Sequence, residues 1–302
     1  MRTLITGGGG FIGAWLAQRL HRAGITLRIF DSHAERHRIS ELLGTAMAQG
    51  IDWVVGDIVD TGAIVKAAQG CHAIIHLAGV LTPACQKDPL RGAQINVMGT
   101  LNVFEAARQH GISRVIYTSS GGVFGPEDGE TPRPTTHYGA YKLANEGNAR
   151  AYWEDHRISS IGMRPFVVYG PGRDTGLTAG PSLACRAAGL GESYVIPFTG
   201  SAGMVYVDDV AAVYEAAVLS RVTGAHTLNL TGHPASMDQV IAIIKSIVPG
   251  AQVRCEGPTL PSAAHSVNEY NNGLLALPPE RSLEEGIALS IRHYLKGDGV
   301  RS

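Results

Sequence analysis

Thr3-Leu4-Ile5-Thr6-Gly7-Gly8-Gly9-Gly10-Phe11-Ile12-Gly13 decides the fold. The run from Thr3 to Thr6 has the make-up of a short buried strand, and four glycines stop it. From Phe11 to Arg22 apolar residues recur at helical spacing: Phe11, Ile12, Trp15, Leu16 and Leu20. Gly7, Gly10 and Gly13 form Gly-x-x-Gly-x-x-Gly between the two, a spacing variant of the dinucleotide fingerprint. The physics is a tight turn, a backbone that lets a pyrophosphate approach, and a helix N-terminus that attracts the anion. A second strand, Ile25 to Phe30, ends at Asp31. It lies about 20 residues past the loop, where an acid takes the adenosine ribose hydroxyls. A carboxylate there repels a 2′-phosphate, so NAD is expected over NADP. Arg36 and Arg38, a few residues on, are the argument for some NADP tolerance.

Four more strand-like runs follow: Asp52 to Asp57, Ala73 to Gly79, Arg114 to Ser120 and Ser159 to Tyr169. Strands alternating with helices imply an α/β fold with a doubly wound parallel sheet. Ligands in such sheets bind beyond the carboxyl ends of the strands. Asp57 and Ile58 therefore stand where adenine would lie, and small Ala78 and Gly79 let a cofactor rest against backbone. His76 reads as a packed strand histidine rather than a base. Asp88 to Gly111 reads as one long helical stretch whose apolar positions wrap wide, deeply packed or shared with a partner subunit. Asn96 within it holds a backbone bend or water near the site, or is a satisfied core amide. Past Gly170 the alternation fades. Ser236-x-x-Gln239 and Ser282-x-x-Glu285 are capping boxes on late helices, and Thr227 to Leu230 is a further strand. The expected division is an NAD-binding domain over 1–169 with returns near 203–230, and a smaller interleaved substrate lobe over most of 170–302. The end, 297–302, is expected to fray.

Tyr138-Gly139-Ala140-Tyr141-Lys142 carries the chemistry. Side chains four apart leave one helix face a turn apart. A tyrosine with an ordinary pKa of about 10 is a poor base at neutral pH. A lysine ammonium within a few Å lowers that value, and a bound nicotinamide cation pushes the same way. The pair then serves as a general acid/base. Ser120, at the end of the fifth strand, stands beside the cofactor and can hydrogen-bond the reacting oxygen. The Gly- and Pro-rich loop from Gly121 to His137 is placed to line or cover the pocket, as are Leu81–Lys87, which include Thr82, and Gly170–Gly180.

The bulk numbers close off other classes. A chain of 302 residues with 44% hydrophobic content has enough apolar residues for a sizeable core. A formal net charge of −1 gives no basic surplus for nucleic acid. Cys71, Cys85, Cys185 and Cys255 are scattered, without metal-ligand or disulfide-framework spacing, so no metal site is expected. Neither a signal peptide nor an apolar run of about 20 residues is seen, so a cytoplasmic protein without a membrane span is expected.

Taken together, these motifs resemble the extended short-chain dehydrogenase/reductase family, also called the NAD-dependent epimerase/dehydratase family. The matching pieces are Thr6 to Gly13, Asp31, Gly56-Asp57, His76-Leu77-Ala78-Gly79, Asn96, Thr118-Ser119-Ser120, Tyr138-x-x-x-Lys142, Arg164-Pro165, Tyr169-Gly170-Pro171-Gly172 and Tyr206-Val207-Asp208-Asp209-Val210. The resemblance implies a Rossmann-type domain, bound NAD and hydride transfer. It implies Tyr138 as acid/base, Ser120 as its helper, and Lys142 on the nicotinamide ribose, lowering the Tyr138 pKa. It places the cofactor against Gly7, Gly10, Phe11, Ile12, Gly13, Asp31, Asp57, Ile58, Leu77, Ala78, Gly79, Asn96, Thr118, Tyr138, Lys142 and Pro165. Substrate falls to Thr82, Ser120, Gly121, Tyr138 and Arg173. It also suggests a homodimer through long helices such as Asp88–Gly111 and Tyr138–His156.

Departures from the family pattern narrow the reaction. Dehydratases of this kind carry Asp-Glu after the serine, where this chain has Gly121-Gly122. Gly122 also stands where some epimerases place a cysteine. Nucleotide-sugar relatives commonly have asparagine at Val167 and arginine near Ala202, both for the diphosphate. Arg173 is available to hold an anion instead, such as a carboxylate. The expectation is an NAD-dependent oxidoreductase acting on a secondary alcohol of a small polar substrate (a sugar, sugar acid or hydroxy acid). A nucleotide-sugar 4-epimerase is the alternative. A non-catalytic NAD sensor is disfavoured because Ser120, Tyr138 and Lys142 are all present.

Overall fold

In a computed structural model, the chain is described over residues 1–126, 130–260, 267–270 and 272–295. The tail from 297, expected to fray, lies outside the described residues. Strands in chain order are β1 (Arg2–Thr6), β2 (Thr26–Asp31), β3 (Asp52–Val55), β4 (Ala73–His76), β5 (Arg114–Thr118), β6 (Ser159–Pro165), β7 (Val167–Tyr169), β8 (Tyr194–Ile196), β9 (Ser201–Tyr206), β10 (Ala225–Leu230), β11 (His233–Ser236) and β12 (Val253–Cys255). Seven of them form one sheet in the order β10-β6-β5-β4-β1-β2-β3. Every pairing in it is parallel.

Alternate residues of these strands feed two cores. Ile5, Ile29, Ile75 and Ile116 face one side, and Leu4, Phe30, Ile74 and Val115 the other. A sheet buried on both faces needs such near-continuous apolar strands. Helices α1 (Phe11–Arg22), α2 (His37–Leu43), α3 (Thr45–Gly50), α4 (Thr61–Ala68), α5 (Thr82–Lys87), α6 (Pro89–Ala93), α7 (Gly99–Gln109), α8 (His137–His156), α9 (Gly180–Leu190), α10 (Val207–Leu219), α11 (Met237–Ile247) and α12 (Leu283–Leu295) complete the fold. Leu16 and Leu20 of α1 join Val210 and Tyr214 of α10 on the first face. Ile64 of α4 joins Val103 and Phe104 of α7 on the second. The fold is α/β with a doubly wound parallel sheet. Strand order reverses between β1 and β4, which opens a crevice at their carboxyl ends.

Two elements differ from the sequence expectation. Asp88 to Gly111 is not one helix. Asp88 accepts from the Arg91 N–H at 3.0 Å and caps α6, and Pro89 starts it. Gln94–Met98 is a π-helical segment before α7. The run from Ser159 to Tyr169 divides at Phe166. β6 stays in the main sheet to Pro165, whereas β7 pairs with β9 in a three-stranded sheet, β11-β9-β7. Pro165 lacks the N–H that would continue an interior ladder. Both late capping boxes are formed, at Ser236/Gln239 and Ser282/Glu285. Among the described residues, no helix is long and apolar enough to cross a membrane, and no cluster of His, Cys, Asp and Glu is arranged to hold a metal.

Candidate active site

The crevice at the switch point is a cleft of about 630 Å³. Gly7, Gly10, Asp31, Asp57, Ile58, Leu77, Ala78 and Gly79 line it. Gly7 has φ +72°, and a Cβ there would lie 2.7 Å from the Ala78 nitrogen. A Cβ on Gly13 would lie 2.6 Å from the Gly8 carbonyl oxygen, so that glycine lets α1 close on the loop. Gly10 precedes α1 without a side-chain cap, which leaves first-turn N–H groups to an anion. Phe11, Ile12 and Gly13 form that first turn. Asp31 accepts a 2.9 Å hydrogen bond from the Gly9 N–H, which fixes its carboxylate beside the loop. A glycine cradle, an uncapped helix start and a fixed carboxylate at the ribose end together fit a dinucleotide.

Other residues of this cleft carry no local sequence signal. Ser32, His33, Val80 and Arg91 line it. Arg91 donates to Asp57 at 2.7 Å from across the cleft. The Val59 N–H and then Arg91 hold the Asp57 carboxyl below its usual range. That ion pair joins the loop after β3 to α6 and was not legible before the chain folded.

Tyr138 and Lys142 lie one turn apart on α8, which begins one residue early at His137. Thr136 caps the helix by accepting from the Gly139 N–H at 3.0 Å. Lys142 is 3% exposed, and its Nζ donates to the Thr118 carbonyl at 2.8 Å. No ion pair forms on it among the described residues, and burial pulls its pKa down to about 8. Ser120 hydrogen-bonds the Tyr138 phenol and also accepts from the Gly122 N–H at 3.0 Å. The expected lowering of the Tyr138 pKa by Lys142 is not found. Burial raises the phenol to about 12, and Ser120 and Arg173 are the groups that oppose it. The reason is geometric: Nζ is turned to Thr118 and stands 5.5 Å from the Tyr138 ring centroid.

Asn96 sits fully buried in the π-helical segment. Its Nδ2 donates to the Val80 and Gly92 carbonyls, each at 3.1 Å, so the amide holds the bend. Its Oδ1 is buried without a hydrogen-bond partner among the described residues and faces Gly79. The Thr118 hydroxyl bonds Tyr214 at 2.7 Å, and Pro165 ends β6 at the same end of the sheet. His76 is a packed residue between the hydroxyls of Thr6 (2.7 Å) and Thr100 (3.0 Å).

On the substrate side, Arg173 stands in the loop after β7. Its Nη1 donates to the Val168 carbonyl and its Nη2 to Thr178 Oγ1 at 2.6 Å. The guanidinium has no ion-pair partner among the described residues and is close enough to Tyr138 to favour its phenolate. Burial lowers its pKa to about 10. Gly121 packs under Phe166, where a Cβ would fall 2.8 Å from the ring. Thr82 opens α5, and Leu81 just before it approaches Gly176 in the Arg173 loop. Ser120, Tyr138, Lys142 and Arg173 thus converge beyond the carboxyl ends of β5 and β7. Together they can orient a hydroxyl, exchange its proton and balance a nearby negative charge.

A family model described as "NAD dependent epimerase/dehydratase family" matches residues 3–230. UDP-glucose 4-epimerase of Mycolicibacterium smegmatis is 31% identical, over 97% of this chain and 98% of its own length. Uronate dehydrogenase of Pseudomonas putida is also 31% identical, over 54% of this chain and 59% of its own. Among solved structures, the UDP-glucose 4-epimerase of Thermus thermophilus in complex with NAD aligns with a TM-score of 0.81. It is 23% identical and covers 97% of this chain and 99% of that one.

Proposed function

Because the chain belongs to the NAD-dependent epimerase/dehydratase family, with NAD as its cofactor, we propose that it oxidises a secondary alcohol on a small polar substrate: a sugar, sugar acid or hydroxy acid. Ser120 holds the substrate hydroxyl. Tyr138, as phenolate, takes its proton. Lys142, one turn along the helix, would hold the nicotinamide ribose, and its charge would favour that phenolate once it turns from Thr118. NAD held in the cleft would supply the hydride acceptor for the carbinol carbon. The Gly loop, Asp31 and the other cleft residues hold the dinucleotide, and Thr82 and Gly121 shape the substrate end.

Arg173 carries the choice of substrate. A half-buried guanidinium that no carboxylate pairs among the described residues is completed when an anion binds beside it. Standing beside Tyr138, it fits a carboxylate close to the reacting carbinol. The two positions where nucleotide-sugar relatives hold diphosphate are Val167 and Ala202 here, both packed into the core. The second reading, a nucleotide-sugar 4-epimerase, is favoured by the full-length match to the M. smegmatis protein. We further propose that the protein is a cytoplasmic homodimer. In the same reading, 1–169 with returns near 203–230 forms the NAD domain, and most of 170–302 the substrate lobe.

The test mixes the protein with NAD and sugars, sugar acids, hydroxy acids and UDP-sugars, and follows NADH absorbance and product stereochemistry. NADH is expected with an acid. Tyr138→Phe should lower kcat by about 10²- to 10⁴-fold, and Arg173→Met should raise KM for the acid but not for a neutral analogue. Epimerised UDP-sugar without free NADH would establish the second reading instead.

A further inference from the structure

We infer that Asp174, on the substrate side of the molecule, is a second determinant of cofactor choice. It occupies Arg38, which would otherwise receive the 2′-phosphate of NADP. Arg38 lines the cofactor cleft together with Asp31. The two side chains hold opposite ends of one residue. Asp31 accepts from the Gly9 N–H at 2.9 Å, and Arg38 Nη1 donates to the Gly9 carbonyl at 3.4 Å. An arginine next to the ribose-reading carboxylate is the residue type that accommodates a 2′-phosphate.

Here its fork is already engaged. Nη2 donates to both carboxylate oxygens of Asp174, at 2.9 and 2.8 Å, and Nε to the Gly172 carbonyl at 3.3 Å. Asp174 cancels the charge that would attract a phosphate, and it lies 136 residues from Arg38 in the chain. The other nearby arginine cannot replace it. Arg36 donates to the carbonyls of Ala48 and Ile51 and lies over the Trp53 ring at 4.9 Å. The remaining charge on this stretch of the lining, Glu35, adds to the repulsion. Selection for NAD therefore has two parts: Asp31 repels the phosphate, and Asp174 withholds its counter-ion.

Binding alone tests this, so the outcome is independent of which substrate the enzyme takes. Dissociation constants for NADH and NADPH would be measured by fluorescence titration for Asp31→Asn, Asp174→Asn, the double variant, and the double variant with Arg38→Met. Removing the carboxylate of Asp174 in the Asp31→Asn background should tighten NADPH binding by about tenfold, the scale of one charge-assisted contact. Adding Arg38→Met should abolish that gain. Circular dichroism and the denaturant midpoint report that each variant is folded, and Asp174→Ser replaces the Asn variant if the fold is lost. NADPH affinity unchanged by the Asp174 substitution, or a gain that survives Arg38→Met, would overturn the assignment.

Discussion

Tyr138, half-buried, and His76, fully packed, show how one fold drives two desolvated groups toward opposite uses. Burial alone raises a phenol and lowers an imidazole, because each loses its charged form first. Tyr138, at about 12, has Ser120 and Arg173 within reach to pull it back. Among the described residues His76 has hydroxyl partners alone and lies near the Lys142 ammonium, and burial first, then that charge, lowers its pKa to about 3. The fold thus holds His76 neutral, while an unfolded chain protonates it below about 6.5. The unfolded state binds the extra proton between those values, so this group's contribution is intact above pH 6.5. It is lost progressively as pH falls towards 3, by about 1.4 kcal/mol per unit. Denaturant midpoints at pH 7, 6 and 5 should show this slope, and His76→Gln should flatten it. A slope that His76→Gln leaves unchanged would show that the fold does not hold His76 neutral.

At the scale of elements, α8 organises the site through more than Tyr138 and Lys142. Glu146 follows four residues after Lys142 on the same face. It accepts from Ser119 Oγ at 2.5 Å and from Arg164 on β6 at 2.8 and 2.6 Å. The helix is thereby tied to the residue before Ser120 and to the strand that ends at Pro165. Removing one partner of such a buried pair strands the other, which costs about 3 kcal/mol. Glu146→Gln should lower the denaturant midpoint accordingly. Pairing it with Arg164→Met should recover much of that loss, since the uncharged pair leaves no buried charge unpaired. The local parts of this site were legible in the sequence: the glycine loop, Asp31 at its strand end, and Tyr138 with Lys142 at helical spacing all report their surroundings within a few residues. The π-helical segment was not, because the bend at Asn96 depends on the Val80 carbonyl, supplied by a different part of the chain. The departure of β7 from the main sheet was equally hidden, since Val167 to Tyr169 would have fitted either sheet by residue type.

Across the whole molecule, the sheet order sets where chemistry can happen. The reversal between β1 and β4 fixes the cofactor cleft, and β5 and β6 carry the sheet out to the substrate side. Contacts that cross this span decided what sequence alone could not. Arg91 meets Asp57, and Arg38 meets Asp174, only because the topology folds distant loops onto one crevice. Family membership supplies NAD and hydride transfer, and the fate of the hydride is what separates the two readings of function. The most direct measurement uses an oxidisable substrate from the panel, deuterated at its carbinol carbon, with unlabelled NAD, and follows the label by mass spectrometry. Net oxidation puts deuterium into free NADH in equal amount with the ketone or lactone product, and Tyr138→Phe slows the transfer by about 10²- to 10⁴-fold. Deuterium retained in a product of inverted configuration, with no label in free NADH, would contradict the dehydrogenase reading and make the protein an epimerase.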